Sequence, residues 1–432
     1  ERFTASDVKF TYETLLRPSS GSPYTASYSD IDRIEVIDDH TISFTYSRPY
    51  SPALSKFGMG IVPRHLLKDV SNIRKSGFAR APVGTGPYTF SSWESGQFII
   101  LNAFPEYFRD GPHIERYVYK IIPDSAVQYL ELISGGIDSM NLDPYQYIYR
   151  SDEKVFTSRM DKYRYLSRSY TYIGYNLNDP VLSDRDVRAA LSYAVNKRKL
   201  IDSVLLGLGE KCTGPFFKRS PFYNDDVTGY PYNPDKAREL LKKAGWVDTD
   251  NDGILEKNGE EFRIGLSTNQ GNRTRKDTAT IIQSHWAEIG VKADIHVVSW
   301  SAFLDQFVNK KNFQAVILGW TLPLDPDPYN VWHSRAAGPG GLNFVSFRDG
   351  ELDRLIEEGR KEFDTSERAR IYRKAHRIIS EAAPYTFLFF PYALPAVHKR
   401  FRGIEPAPAG IGYNFTEWYV PEDEVIYDFR RR

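Results

Sequence analysis

From about residue 183 onward, apolar residues recur at helical spacing and are separated by short runs of strand alternation. Ser183 and Asp186 have the Ser-x-x-Asp spacing of a helix cap. Val187, Ala190, Leu191, Ala194 and Val195 then fall at i, i+3, i+4, i+7 and i+8, and Gly207 closes the segment. Asn233-Pro234 opens a second helix with Ala237, Leu240, Leu241 and Ala244 on one face and Gly245 after it. A third carries Ile281, Ile282, His285, Trp286 and Ile289 and stops at Gly290. Residues 262–266, 291–297, 313–320 and 385–390 read as strands, and helices are predicted near 351–363 and over Thr365–Ala382, with Pro384 as the stop. Helices alternating with strands over this length predict an α/β domain whose sheet is covered on both faces.

The first part of the chain is richer in hairpins. Thr4 begins a helix with Asp7 at capping spacing and Val8, Tyr12, Leu15 and Leu16 as its stripe. Ile34 and Val36 alternate inward, Asp38-Asp39-His40 turns, and Ile42, Phe44 and Tyr46 return. Residues 88–102 alternate about a Glu94-Ser95-Gly96 turn, residues 117–122 form a strand, and a helix from about Asp124 to Ser134 ends at Gly135-Gly136. No repeat of fixed period and no low-complexity linker divides the chain. Glu1-Arg2-Phe3 runs directly into a helix start, which predicts a truncated or processed N-terminus.

Composition narrows the class. The 432 residues carry 56 Lys plus Arg against 56 Asp plus Glu, and a neutral chain is a poor partner for nucleic acid. Arg430, Arg431 and Arg432 form a short basic cluster. A 14% aromatic share spread along the chain excludes disorder. The single Cys212 excludes an internal disulfide and a cysteine zinc site; it reads as a packed thiol rather than a nucleophile, since no local motif supports the latter. The longest apolar stretch, 387–397, contains Pro391 and Pro395 and falls far short of the ~20 residues a membrane span needs.

Candidate chemistry is sparse. Gly84-Thr85-Gly86 lacks the third glycine and following helix of a dinucleotide fingerprint, leaving a hinge between lobes or a tight turn. No Walker A, His-Glu-x-x-His or Gly-x-Ser-x-Gly occurs. The eight histidines are scattered, and His285 reads as a satisfied, partly buried residue. Asp248, Asp250 and Asp252 with Gly253 match the start of a calcium loop, but the twelfth position, where a bidentate acid belongs, is Gly259; an acidic turn is the better reading and a weak metal site the other. The segment from Trp320 to Trp332 is the richest: a strand end, then three prolines, Asp325, Asp327, Tyr329 and Trp332. Rigid aromatic walls with a few polar anchors at a strand's carboxyl end suit a ligand cleft, and a structural loop is the alternative. Nothing shows the two aspartates flanking one bond as a catalytic pair. No catalytic residue and no cofactor is expected.

Taken in order, Thr4-Ala5-Ser6-Asp7-Val8, Pro82-Val83-Gly84-Thr85-Gly86-Pro87-Tyr88, Gly135-Gly136-Ile137-Asp138, Tyr175-Asn176-Leu177-Asn178, Asp186-Val187-Arg188-Ala189-Ala190 and the tryptophan-Asp-Pro loop resemble the family 5 solute-binding proteins, the peptide and nickel receptors of ABC importers. The resemblance implies a type II-like periplasmic-binding-protein fold of two α/β lobes with a small extra domain. It maps 1–80 to the small domain, 81–171 and 402–432 to lobe one, and 172–401 to lobe two, with an N-terminal segment missing. It further implies an extracytoplasmic, membrane-anchored, monomeric, non-enzymatic receptor that captures a peptide and docks on a membrane permease. A non-peptide solute such as an oligosaccharide is the alternative, and a secreted hydrolase the rival from another class. Tyr172, Trp300, Trp320, Tyr329 and Trp332 would form pocket walls, Asn176 and Asn343 would hydrogen-bond the ligand, and Asp325 or Asp327 would meet a cationic group. The Asp-Pro-Asp-Pro-Tyr run resembles receptors for longer peptides.

Overall fold

Tyr170 and Tyr172 pack into one hydrophobic core while Ile173 and Tyr175, on the same strand, pack into another, so the strand is buried on both faces. This is the burial that near-continuous apolar strands require. The computed structural model describes residues 1–20, 22, 24–70, 73–338 and 341–426; Arg430, Arg431 and Arg432 lie outside the described residues. Two compact units are present. One comprises Glu1–Ser47, Gly58–Tyr165 and Ala393–Arg432, the other Arg48–Phe57 and Leu166–Tyr392. The chain thus passes between them at 47/48, 57/58, 165/166 and 392/393; the resemblance places passages between its two lobes at 171/172 and 401/402.

The second unit is built on one sheet. Six of the sheet's seven strands are β1 (Ser169–Tyr175), β2 (Gly209–Lys211), β3 (Arg263–Asn269), β4 (Lys292–Val298), β5 (Ala315–Thr321) and β6 (Tyr385–Ala393), in the spatial order β2-β6-β1-β5-β3-β4. β3 is parallel to both β4 and β5, whereas β1 is antiparallel to β5 and β6. Helices α1 (Arg185–Tyr193), α2 (Lys197–Val204), α3 (Pro234–Lys243) and α4 (Arg273–Ala287) cover one face through Val187, Leu191, Leu200, Leu241 and Trp286. Helices α5 (Gly350–Lys361) and α6 (Thr365–Ala382) cover the other through Leu352, Ile356, Tyr372 and Ile379. On β6 the alternation slips where Leu388 and Phe389 both enter the core of Ile173 and Tyr175, and the pairing with β1 shifts register between Phe387 and Phe389, as a bulge does.

Two predicted details change. The single helix expected from 183 to 207 is α1 followed by α2: Asn196 turns its side chain to accept from the Lys199 N–H, which starts a new helix. The cap of α1 is Asp184 rather than Ser183, accepting from the Asp186 N–H. In the first unit the helix Ala5–Leu16 has both halves of the Thr4/Asp7 capping box, and the hairpins at 31–46 and 88–103 pair as the alternation predicts. Gly84 and Gly86 are exposed and lie inside this unit, away from the passages between units.

His376 of α6 is completely buried, and its Nδ1 accepts from the Asn224 N–H at 3.2 Å. Burial lowers its pKa to about 4. It is neutral in the fold but takes up a proton in the unfolded chain below its ordinary value of about 6.5. Its contribution is therefore intact above pH ~6.5 and is lost as pH falls toward about 4, by roughly 3 kcal/mol. Denaturant unfolding at about pH 7.5 and about pH 4.5 is expected to show this loss in the wild type and a smaller one in His376→Gln.

Candidate functional site

The chain leaves β3 for α4 on one face of the sheet, and after β4 it enters a helical stretch whose Phe303 and Val308 join the core on the opposite face. Crossovers that diverge in this way open the carboxyl edge of the sheet next to β3, where open α/β sheets place ligands. That edge ends at Asn269, Val298 and Thr321. Asn272 caps α4 by accepting from the Arg275 N–H at 2.9 Å, and Ser299 caps the turn bearing Trp300, which is 49% exposed. Trp320, half-buried, donates its indole N–H to the Tyr385 hydroxyl at 3.3 Å.

The residues singled out from sequence divide into three groups. Tyr172, Trp332, Asn176 and Asn343 belong to the interior. Tyr172 stacks on Tyr385 with centroids 3.9 Å apart, and Trp332 packs on the same ring at 4.7 Å. The Asn176 amide donates to the Lys311 and Phe313 carbonyls and accepts from the Asn178 N–H; the Asn343 amide donates to the His333 and Phe347 carbonyls and accepts from the Phe347 N–H. Both amides are occupied by backbone, which turns them from ligand contacts into loop fasteners. Asp325 and Asp327 are likewise engaged. Arg368 holds Asp325 at 2.5 Å, and the Asp327 side chain, 3% exposed, meets Tyr50 at 2.8 Å, Arg360 at 3.4 Å and Lys56 at 3.8 Å. Neither aspartate stands as the unpaired anchor for a cationic ligand group that the sequence suggests. Trp300, Trp320 and Tyr329 retain accessible surface; the Tyr329 ring stacks on His333, and the Arg360 guanidinium lies 4.4 Å from its centre.

Sequence reasoning missed Arg275, which lies on α4 one turn beyond β3. Its Nη1 donates to the Asn269 side-chain oxygen at 2.7 Å, and burial lowers its pKa. Only its place in the first turn of α4, directly after a strand end, could have pointed to it. Other motif residues serve the framework. The Arg188 guanidinium caps the end of α6 by donating to the Ala382 and Ala383 carbonyls at 2.8 and 3.0 Å, and Asp138 pairs with Arg400.

Elsewhere, Cys212 is buried, its thiol pushed up to about 12, and it donates weakly to the Gly214 carbonyl, which makes it a packed and inert thiol. His285 is buried, but its Nδ1 has no protein partner among the described residues, so the satisfied histidine of the sequence reading is corrected. Asp248, Asp250 and Asp252 hold the turn by accepting from the Asn251, Gly253, Asp252 and Ile254 N–H groups. Glu256 joins them, with one oxygen from each of the four residues within 4.8 Å of the others.

Trp332→Ala should lower stability by about 3–5 kcal/mol, the cost of a cavity in a packed core, and Asp327→Ala by a similar amount because it strands buried cations. Thermal or denaturant unfolding measures both, and near-wild-type stability in either variant would contradict its interior role. Calorimetric titration with calcium is expected to show no binding in the ~10⁻⁷ to 10⁻⁵ M range of sensor loops; a constant inside it would make the acidic turn a metal site.

A family model described as Bacterial extracellular solute-binding proteins, family 5 Middle matches residues 1–341. The oligopeptide-binding protein AppA of Bacillus subtilis is 32% identical over 431 residues, covering 97% of this chain and 78% of AppA. The structure of AppA in complex with a nonapeptide superposes with a TM-score of 0.91 at 31% identity, covering 98% of this chain and 84% of that one. NikZ from Campylobacter jejuni in complex with Ni(L-His) gives a TM-score of 0.87 at 28% identity, covering 96% and 84%. Among the described residues no helix is long and apolar enough to cross a membrane. The chain belongs to the bacterial extracellular solute-binding proteins of family 5.

Proposed function

We propose that this protein captures peptides outside the cytoplasm and delivers them to an ABC permease, leaving them chemically unchanged. The observation that carries this reading is the accessible aromatic surface at the carboxyl edge of the sheet, Trp300 and Trp320 with Tyr329 nearby along the chain, on a frame like that of AppA, whose structure holds a nonapeptide. Aromatic faces contact extended chains of varied sequence, while main-chain hydrogen bonds supply affinity without much side-chain choice. The receptor works as a monomer, without a cofactor.

Protein purified without denaturation and sprayed in native mass spectrometry is expected to carry peptide masses. After incubation with a peptide pool, the bound peptides should be recovered intact. Shortened products would instead indicate a hydrolase, and bound mass of a non-peptide kind a different solute. A peptide at a hundredfold excess over its dissociation constant should raise stability by about 2.7 kcal/mol. Trp300→Ala should weaken capture by roughly 2 kcal/mol, as loss of an aromatic anchor does, with little change in unfolding temperature.

A further inference from the structure

We infer that Tyr385, the first residue of β6 and part of the core, is a positioning residue for solute capture: its hydroxyl fixes the Trp320 indole in the orientation that meets the solute. The inference rests on the peptide reading above and names how that aromatic surface is held ready. Trp320 packs against the core beside Phe344, with ring centroids 6.3 Å apart, and keeps the rest of its surface accessible. An indole held only by its backbone could turn about its side-chain bonds, and every solute would have to immobilise it. Two sets of ties prevent this. The backbone is held by the pairing of Trp320 with Tyr170 and by the Leu322 N–H, which donates to the Arg168 carbonyl at 2.6 Å. The ring is held by its own N–H, which donates to the Tyr385 hydroxyl at 3.3 Å.

An indole N–H turned toward the interior needs an acceptor, and Tyr385 is an unyielding one. Its ring is 1% exposed, stacks on Tyr172 at 3.9 Å with 8° between the planes, and packs against Trp332 at 4.7 Å. Gly174 pairs with Val316 of β5 on one side and with Tyr385 on the other. A side chain there would begin 3.1 Å from the Tyr172 ring and 3.3 Å from the Tyr385 ring, so the stack has no slack. A hydroxyl on so confined a ring cannot follow the indole; the indole must come to it. Packing alone does not call for that hydroxyl, since Phe387, two positions along β6, fills the same core without one. The bond to Trp320 gives the oxygen its use. A ring already fixed in its bound orientation spares the solute the entropy of ordering it, a gain of about two- to tenfold in affinity.

The test compares the full chain as wild type, Tyr385→Phe, Trp320→Phe and the double variant. Each is titrated with one nonapeptide pool, mass spectrometry reads the midpoint of capture, and thermal unfolding confirms that each is folded. Tyr385→Phe should raise the midpoint about two- to tenfold, and Trp320→Phe by about threefold or more. In the double variant the hydroxyl has no indole to hold, so Tyr385→Phe should add nothing to the loss from Trp320→Phe. An unchanged midpoint in Tyr385→Phe or in Trp320→Phe would overturn the inference. So would an equal loss from Tyr385→Phe in both backgrounds, which is the mark of a role in core packing alone. Benzothienylalanine at position 320, with sulfur in place of the indole N–H, breaks the same bond without touching the core and should reproduce the Tyr385→Phe loss. Wild-type capture by that protein would overturn the inference even if Tyr385→Phe failed to fold. Failure of wild type to capture any of the pool would overturn the peptide reading, and this inference with it.

Discussion

A carboxylate buried to 3% exposure, that of Asp327, organises the loop at the end of β5. A charge at that depth is tolerated only with close, hydrogen-bonded partners. Tyr50 and Lys56 supply two of them, and they come from Arg48–Phe57, a segment that leaves the first unit to join the second. Arg360 supplies the third, its guanidinium lying 4.7 Å over Tyr50 and 4.4 Å over Tyr329. The Ser51 N–H then closes on the Arg360 carbonyl at 2.7 Å. One buried charge in this way joins a distant segment, helix α5 and the aromatic loop into a single rigid block, and Trp332 seats the far end of that loop in the core.

Much of what marks this chain as a family member is framework. Arg188 satisfies the last carbonyls of α6, Asn176 and Asn343 fasten loops, and Asp138 pairs with Arg400. These polar groups are fully used before any solute arrives. AppA in its nonapeptide complex and NikZ in its Ni(L-His) complex show the same frame carrying dissimilar ligands, so selectivity must reside in the few groups the frame leaves unspent. In this chain Trp300 and Trp320 keep accessible surface at the strand ends.

The electrostatic character of the edge follows from subtraction. The two carboxylates that look like cation anchors in the sequence are neutralised within the second unit, whereas Arg275 and Arg168 hydrogen-bond only to uncharged oxygens. Pairing within the fold therefore uses up the two negative charges that residue types alone would leave for a ligand.

The sequence by itself determined the local elements. Helical spacing located α3 through α6, the Thr4/Asp7 and Asn233 caps matched their hydrogen-bonding roles, and the alternation of 34–46 and 88–102 gave true hairpins. Those signals depend on neighbours within a turn or a strand pair, which is why a linear reading reaches them. The break between α1 and α2 escaped because the apolar stripe continues through Ala194 and Val195, and only the Asn196 cap interrupts it. The strand end and the stiff aromatic loop after it were legible as elements, but the partners of their side chains were not. Whether Asp327 faces a ligand or Tyr50 is decided by a contact spanning 277 positions, and whether Trp332 is a wall or core is decided by its packing on Tyr385 and Phe387. Tertiary structure alone settles such questions, because a side chain's function depends on which partners the fold brings to it and which of its bonds remain unmade.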